Sequence, residues 1–132
     1  MIVVDATVLA DFLAGESQLK EKAVALMRED PDWVSVGLWR YEFGNVMWKK
    51  TKFGDGDPKE SRMHLGSVRK LLLETVDDVD LEAVHDIAAK TGLTFYDASY
   101  VWLARTRGLI LRTRDKQVLR ECPDVAHPMP VI

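Results

Sequence analysis

The sequence predicts an α/β fold of three layers, α/β/α, around a central, mainly parallel sheet of four to five strands. Three observations predict it. Short apolar runs recur at Ile2–Val4, Trp33–Val36 and Leu109–Leu111, and such runs suit strands buried on both faces of a parallel sheet. Segments of helical period separate them, and strand–helix alternation places helices on both faces of a sheet. The length, 132 residues, is that of one domain, so residues 1–132 are expected to share one architecture.

Taken in order, Ile2, Val3 and Val4 make the first strand, stopped by Asp5. Ser17 is expected to cap a helix in which Leu19, Ala23, Leu26 and Met27 recur at i, i+4, i+7 and i+8, with Pro31 ending it. Trp33–Val36 is the second strand. Leu38 to Lys52 has helical period again, broken by Gly54-Asp55-Gly56. Asp57, Pro58 and Glu60 supply an N-cap, a proline at the first helical position and an acid at the third. That helix should bury Leu65, Val68 and Leu72. Thr75 and Val76 suggest a short strand. Asp80 caps a helix with Leu81, Val84, Ile87 and Ala88 inward and Gly92 as its stop. Asp97 begins a helix that ends at Gly108, the strand Leu109–Leu111 follows, and a last short helix follows Asp115 and ends before Pro123. The tail from Val125 carries two prolines, so it is at most an edge strand.

Composition narrows the function. The single cysteine, Cys122, can form no internal disulfide, which fits a reducing cytoplasm; a buried hydrophobic role is expected for it. Met1 to Ala14 is apolar, but Asp5 and Asp11 interrupt it and no Lys or Arg precedes it, so it is a poor signal peptide. No apolar run approaches the ~20 residues of a membrane span, and no membrane association is expected. The net charge of −3 argues against a protein held on nucleic acid by bulk positive charge. It does not exclude a nucleic-acid enzyme, because the charges are unevenly placed. Glu74 to Asp86 carries six acids and no Lys or Arg, whereas Arg105 to Arg120 carries six bases and one acid, Asp115.

Four carboxylates stand where such a fold builds sites. Ligands bind beyond the carboxyl ends of parallel strands. Asp5 ends the first strand, Asp115 follows the Leu109–Leu111 strand, Asp97 begins a helix, and Glu42 lies in the first turns of the helix after Trp33–Val36. Singly, each has a structural explanation: a turn residue for Asp5, N-caps for Asp97 and Asp115, a solvated helix position for Glu42. Jointly, they would meet on one rim. Carboxylates gathered there cannot all stay ionised without a counter-charge, and a divalent cation supplies it. An all-oxygen donor set suits Mg²⁺, with Mn²⁺ as substitute, and no Cys or His pair stands nearby at zinc spacing. A cation so held can activate water and stabilise the leaving oxygen in phosphodiester hydrolysis.

The stretches around these acids resemble the PIN domain family of metal-dependent ribonucleases, most closely the VapC-type toxins of toxin–antitoxin pairs. Four stretches carry the resemblance across the chain. These are Ile2-Val3-Val4-Asp5-Ala6-Thr7; Leu38-Trp39-Arg40-Tyr41-Glu42 with Asn45-Val46; Leu93-Thr94-Phe95-Tyr96-Asp97-Ala98 with Tyr100-Val101; and Leu111-Arg112-Thr113-Arg114-Asp115 with Leu119. The third is the most specific. Gln117 stands where some members carry a further acid, and Ser35-Val36-Gly37 lacks the proline often found before the glutamate helix. The resemblance implies a PIN-like fold and metal binding by Asp5, Glu42, Asp97 and Asp115. It implies Mg²⁺ or Mn²⁺ dependence and cleavage of single-stranded RNA segments to a 3′-hydroxyl and a 5′-phosphate. A cognate antitoxin and a homodimer are the partners expected.

Other residues carry paired readings. Thr7 and Thr113 flank the acids at two residues' distance and could orient a carboxylate, or simply cap a helix. Asn45 shares a helix face with Glu42 and could face the site or cross-link the helix. Arg114 and Lys116, flanking Asp115, are the candidates for RNA contact; Arg40, Lys49, Lys50 and Lys52 surround Glu42. Trp48 and Phe53 could form a dimer or antitoxin surface, while Trp39 is read as core. His64, His85 and His127 are scattered and are assigned no chemistry.

The expected function is a metal-dependent endoribonuclease of the cytoplasm. Its alternatives are a PIN-fold RNA-maturation nuclease without a toxin role and a non-catalytic RNA- or protein-binding module. A haloacid-dehalogenase-like phosphatase would want an acid where Thr7 stands, and a receiver domain would want paired acids at the first strand and a mid-chain phospho-accepting Asp. Without the four proposed ligands the balance is 18 bases to 17 acids, or +1, so RNA affinity should be modest and metal-dependent.

Overall fold

A computed structural model describes every residue except Asp55, which falls within the expected Gly54-Asp55-Gly56 break. Five strands form one all-parallel sheet in the order β3-β2-β1-β4-β5. They are β1 (Ile2–Val4), β2 (Trp33–Val36), β3 (Leu72–Val76), β4 (Leu111–Arg112) and β5 (Ala126–His127). Among the described residues seven α-helices connect and cover them: α1 (Ala6–Ala14), α2 (Ser17–Glu29), α3 (Trp39–Phe53), α4 (Pro58–Ser67), α5 (Leu81–Thr91), α6 (Phe95–Arg107) and α7 (Lys116–Glu121). The α/β/α architecture is the expected one, and β1 lies at its centre.

Alternation along the strands divides the core in two. Ile2, Val4 and Trp33 face a cluster with Leu9, Leu26, Phe43 and Met47 from α1, α2 and α3. Val3, Val34, Val36 and Leu111 face Tyr100, Val101, Leu103 and Val118 from α6 and α7. Each fully buried Leu or Phe contributes about 1.5–3 kcal/mol over its exposed state. Ser35 is buried in β2, and its hydroxyl donates to the Val4 carbonyl at 2.7 Å, so this polar group is satisfied. Cys122 and Trp39 are buried as expected, and the Trp39 indole N–H donates to Thr75 Oγ1 at 3.0 Å.

Several boundaries differ from the sequence expectation. A helix, α1, follows Asp5 directly. Its apolar run matches a buried strand as well as a helix, and Asp5 decides the matter by capping it. Ser17 is the first residue of α2 and gives no side-chain cap. The helix expected to bury Leu65, Val68 and Leu72 ends at Ser67. Leu65 is exposed, Val68 is buried in a 3₁₀ turn, and Leu72 opens β3. Leu81 is exposed because the first turn of α5 stands clear of the core that Val84 enters. The helix expected to begin at Asp97 begins earlier: Thr94 caps α6 through its side chain, and Asp97 occupies the third helical position. The final inner strand is only Leu111–Arg112. Gly92 and Gly108 end α5 and α6 at φ of 73° and 63°, a region that favours glycine.

Candidate active site

Four helices begin on the rim beyond the strand ends, and each carries one of the four acids. Asp5 is the N-cap of α1, Glu42 and Asp97 lie in the first turns of α3 and α6, and Asp115 is the N-cap of α7. Helix N-termini present unpaired N–H groups and partial positive charge, so they partly offset gathered carboxylates. Together with Thr7, Asn45, Tyr100 and Arg114, the four acids line one cleft of about 300 Å³. The structure thus brings seven of the sequence candidates together in this lining: Asp5, Thr7, Glu42, Asn45, Asp97, Arg114 and Asp115.

Thr113 is buried and links Asp5 to Asp115. Its hydroxyl donates to Asp5 Oδ2 at 2.8 Å and accepts the Asp115 backbone N–H at 3.1 Å. Asp5 Oδ1 accepts the Val8 N–H at 3.0 Å. Asp115 Oδ1 accepts the N–H groups of Gln117 and Val118 at 2.9 and 3.1 Å. Glu42 Oε1 accepts the Tyr100 hydroxyl at 2.5 Å. The Asp97 backbone N–H donates to Thr94 Oγ1 at 3.1 Å. Gln117 lies outside the cleft lining.

The electrostatics follow from this crowding. Burial pushes the Asp5 carboxyl up to about 6; the Thr113 and Val8 bonds oppose the rise, and the charges of Glu42 and Asp97 add to it. Burial likewise raises Glu42 above the usual carboxylate range, opposed by the Tyr100 bond and helped by Asp97. Asp97 is raised by burial and then by Asp115, against the opposing effect of the Thr94 hydroxyl. Burial and the bond to Glu42 push the Tyr100 hydroxyl up, so it remains a neutral donor.

Mutual repulsion in an all-oxygen donor set fits a hard divalent cation in kind. As the side chains stand, no group of three or more His, Cys, Asp or Glu among the described residues forms a cation-binding cluster. Asp5 and Asp115 are the most firmly held of the four acids, because the carboxylate of each caps a helix.

Half of the ten bases singled out from the sequence are engaged elsewhere. Arg105 pairs with Asp124, Arg107 with Glu74, Arg112 with Glu29, Arg120 with Glu121 and Arg40 with Asp77. The Arg107–Glu74 pair also joins the acidic stretch to the basic one, although they are distant in sequence. Arg114 reaches the cleft, bonded to Asp11. Lys116 does not line the cleft; it lies in an adjoining groove that Arg114 shares. A larger hollow of about 500 Å³ beside α1–α4 mixes Lys20, Lys50, Glu60 and His64 and contains none of the four acids.

The PIN domain model matches residues 2–123, a span that contains all four acids. The chain belongs to the PIN domain family. Two relatives from Pyrobaculum aerophilum bear VapC names. Exonuclease VapC9 is 39% identical over 79 residues, covering 60% of this chain and 59% of that protein. Ribonuclease VapC3 is 29% identical over 131 residues, covering 96% of this chain and 98% of that one. Among solved structures, a protein from the same organism has a TM-score of 0.76 at 30% identity, covering 95% of this chain and 81% of its own. A toxin–antitoxin complex from Klebsiella pneumoniae has a TM-score of 0.66 at 18% identity, covering 96% of each chain, and shows the fold.

Two residues of this PIN domain's site escaped the sequence reading. Tyr100 stands three residues after Asp97 on one helix face, so its spacing could have pointed to the cleft. Asp11 was visible only as an acid interrupting an apolar stretch; its bond to Arg114, 103 residues away, is a tertiary fact. Trp48 and Phe53 are exposed, as a surface role requires. No helix among the described residues is long and apolar enough to cross a membrane.

Proposed function

We propose that this PIN domain is a metal-dependent endoribonuclease, acting in the cytoplasm as the toxin of a toxin–antitoxin pair. One observation carries the reading: four carboxylates from four separate segments, each at a helix N-terminus, line a single cleft. The names of the two VapC relatives and the toxin–antitoxin complex among the structural neighbours support the nuclease and partner assignments.

Asp5, Glu42, Asp97 and Asp115 would hold Mg²⁺, or Mn²⁺ in its place. When bound, the cation supplies charge that neutralises these acids and polarises water and phosphate. The chain's own residues do the positioning. Thr113 fixes Asp5 and the start of α7 in one bond network, and Tyr100 holds one oxygen of Glu42. Thr7 and Asn45 offer further polar contacts to water or substrate. Arg114 presents a cation to the RNA phosphate at the cleft edge. Products with a 3′-hydroxyl and a 5′-phosphate are expected. Endonucleolytic cutting is favoured because Arg114 joins the cleft to a neighbouring groove, so a strand can continue past the acids. Exposed Trp48 and Phe53 are the proposed surface for self-association or antitoxin binding.

The test is incubation of purified protein with a linear RNA pool and a circular RNA, in Mn²⁺ or chelator, beside Asp97→Asn. Cleavage of both RNAs only by wild type in metal is expected. Intact RNA in every lane would refute a nuclease, and attack on the linear pool alone would refute endonucleolytic cutting. A small partner gene beside this one is expected; a solitary gene would point to RNA maturation.

A further inference from the structure

A second groove, of about 230 Å³, adjoins the acidic cleft and shares Arg114 with it. Lys22 of α2 and Lys116 of α7 stand on its sides, and Leu19, Leu119, Pro128 and Met129 give it an apolar lining. Among the described residues neither lysine takes part in a salt bridge. This sets them apart from Arg105, Arg107, Arg112 and Arg120, which all pair with acids.

Asp11 gives the groove its geometry. Its side chain is 8% exposed, whereas that of Arg114 is 45% exposed. Asp11 Oδ2 accepts Arg114 Nε–H at 2.8 Å, and Oδ1 accepts Nη2–H at 3.3 Å. The buried carboxylate thus holds one edge of the guanidinium in a fork, and among the described residues Nη1 donates no bond. A guanidinium fixed this way keeps its remaining donors for a ligand and loses little freedom on binding.

We propose that this groove is a backbone subsite for the RNA strand next to the scissile phosphate, with Lys22, Arg114 and Lys116 contacting its phosphates and Asp11 as the positioning residue of Arg114. The inference rests on the nuclease reading and extends it. The occupant follows from charge. Three cations against one buried carboxylate leave the groove positive, beside a cleft that repels a polyanion until its acids are neutralised. The apolar lining suits sugar and base faces between the phosphates. Metal-free affinity for RNA therefore resides in the groove, and the cleft adds to it only when its acids are neutralised.

The experiment compares wild type with Lys22→Glu/Lys116→Glu and with Arg28→Glu/Lys90→Glu, which makes the same charge change at exposed positions outside the groove. Binding of a labelled, mixed-sequence single-stranded RNA 12-mer is followed by anisotropy in chelator across a salt series, and cleavage is followed in Mn²⁺. The groove variant should bind about tenfold or more weakly, and its log–log salt slope should fall by about 1.4, from two lost contacts at about 0.7 each. The control variant should stay close to wild type. Asp11→Asn, with its melting temperature measured alongside, should raise KM more than it lowers kcat; Arg114→Lys in the Asp11→Asn background should add little further loss. If wild type cleaves RNA while the groove and control variants behave alike, the groove inference fails and the nuclease stands. If wild type neither binds nor cleaves RNA, both fail. If the groove variant loses only a protein partner, the groove is that partner's and the inference fails.

Discussion

Replacing Asp5 by Asn should stabilise the metal-free protein at neutral pH while removing a residue assigned to catalysis. Folding lifts the Asp5 carboxyl from 3.8 to about 6. Between those values the native state binds more protons than the unfolded chain, so the stability this group contributes is complete below 3.8 and is lost as pH rises through 6. A rise of about two pKa units corresponds to about 3 kcal/mol of penalty at pH 7.5. Asn escapes it. Asn also caps helices as well as Asp, so the bond from the Val8 N–H persists. The loss is at Thr113, whose hydroxyl now donates to Asp5 Oδ2 and already accepts from Asp115. An amide N–H turned toward that oxygen costs about 1–2 kcal/mol. The net gain at pH 7.5 is about 1–2 kcal/mol, or about 4–7 °C in Tm for a chain of 132 residues. At pH 4 the gain disappears and Asn should be slightly the less stable. Thermal or urea unfolding in chelator at both pH values measures this. Equal destabilisation by Asn at pH 4 and pH 7.5 would refute the argument that burial and crowding strain the ionised carboxylate.

Tyr100→Phe removes the donor to Glu42 and leaves the ring in the core, so RNA cleavage should fall about 10- to 100-fold, with a higher Mn²⁺ requirement in a metal titration and little change in fold by circular dichroism. Gly108→Ala meets no atom within 4 Å of the added Cβ, so its cost is that of the positive φ alone: about 1–2 kcal/mol, read as a Tm about 4–7 °C lower with unchanged RNA binding.

The sequence determined the layer architecture because its signals are local. Val3, Val4, Val34 and Val36 are short apolar runs buried in the sheet. Asp57, Asp80, Gly92 and Gly108 mark helix ends by side-chain capping or by positive φ. The four acids were legible because each follows a strand or opens a helix, and such points gather at one end of a parallel sheet. Where local signals competed, the sequence was ambiguous. The run after Asp5 suits strand or helix, and Leu72 fits the stripe of one element while belonging to the next.

Only the tertiary structure decided which charges are available. Arg105, Arg107 and Arg112 look alike in sequence to Arg114 and Lys116, but their partners come from other segments: Asp124, Glu74 and Glu29. Thr113 joins Asp5 across 108 residues, and Tyr100 joins Glu42 across 58. No period or cap encodes such contacts. They arise when parallel strands bring distant segments side by side, and that long-range placement brings four separate acids to one cleft.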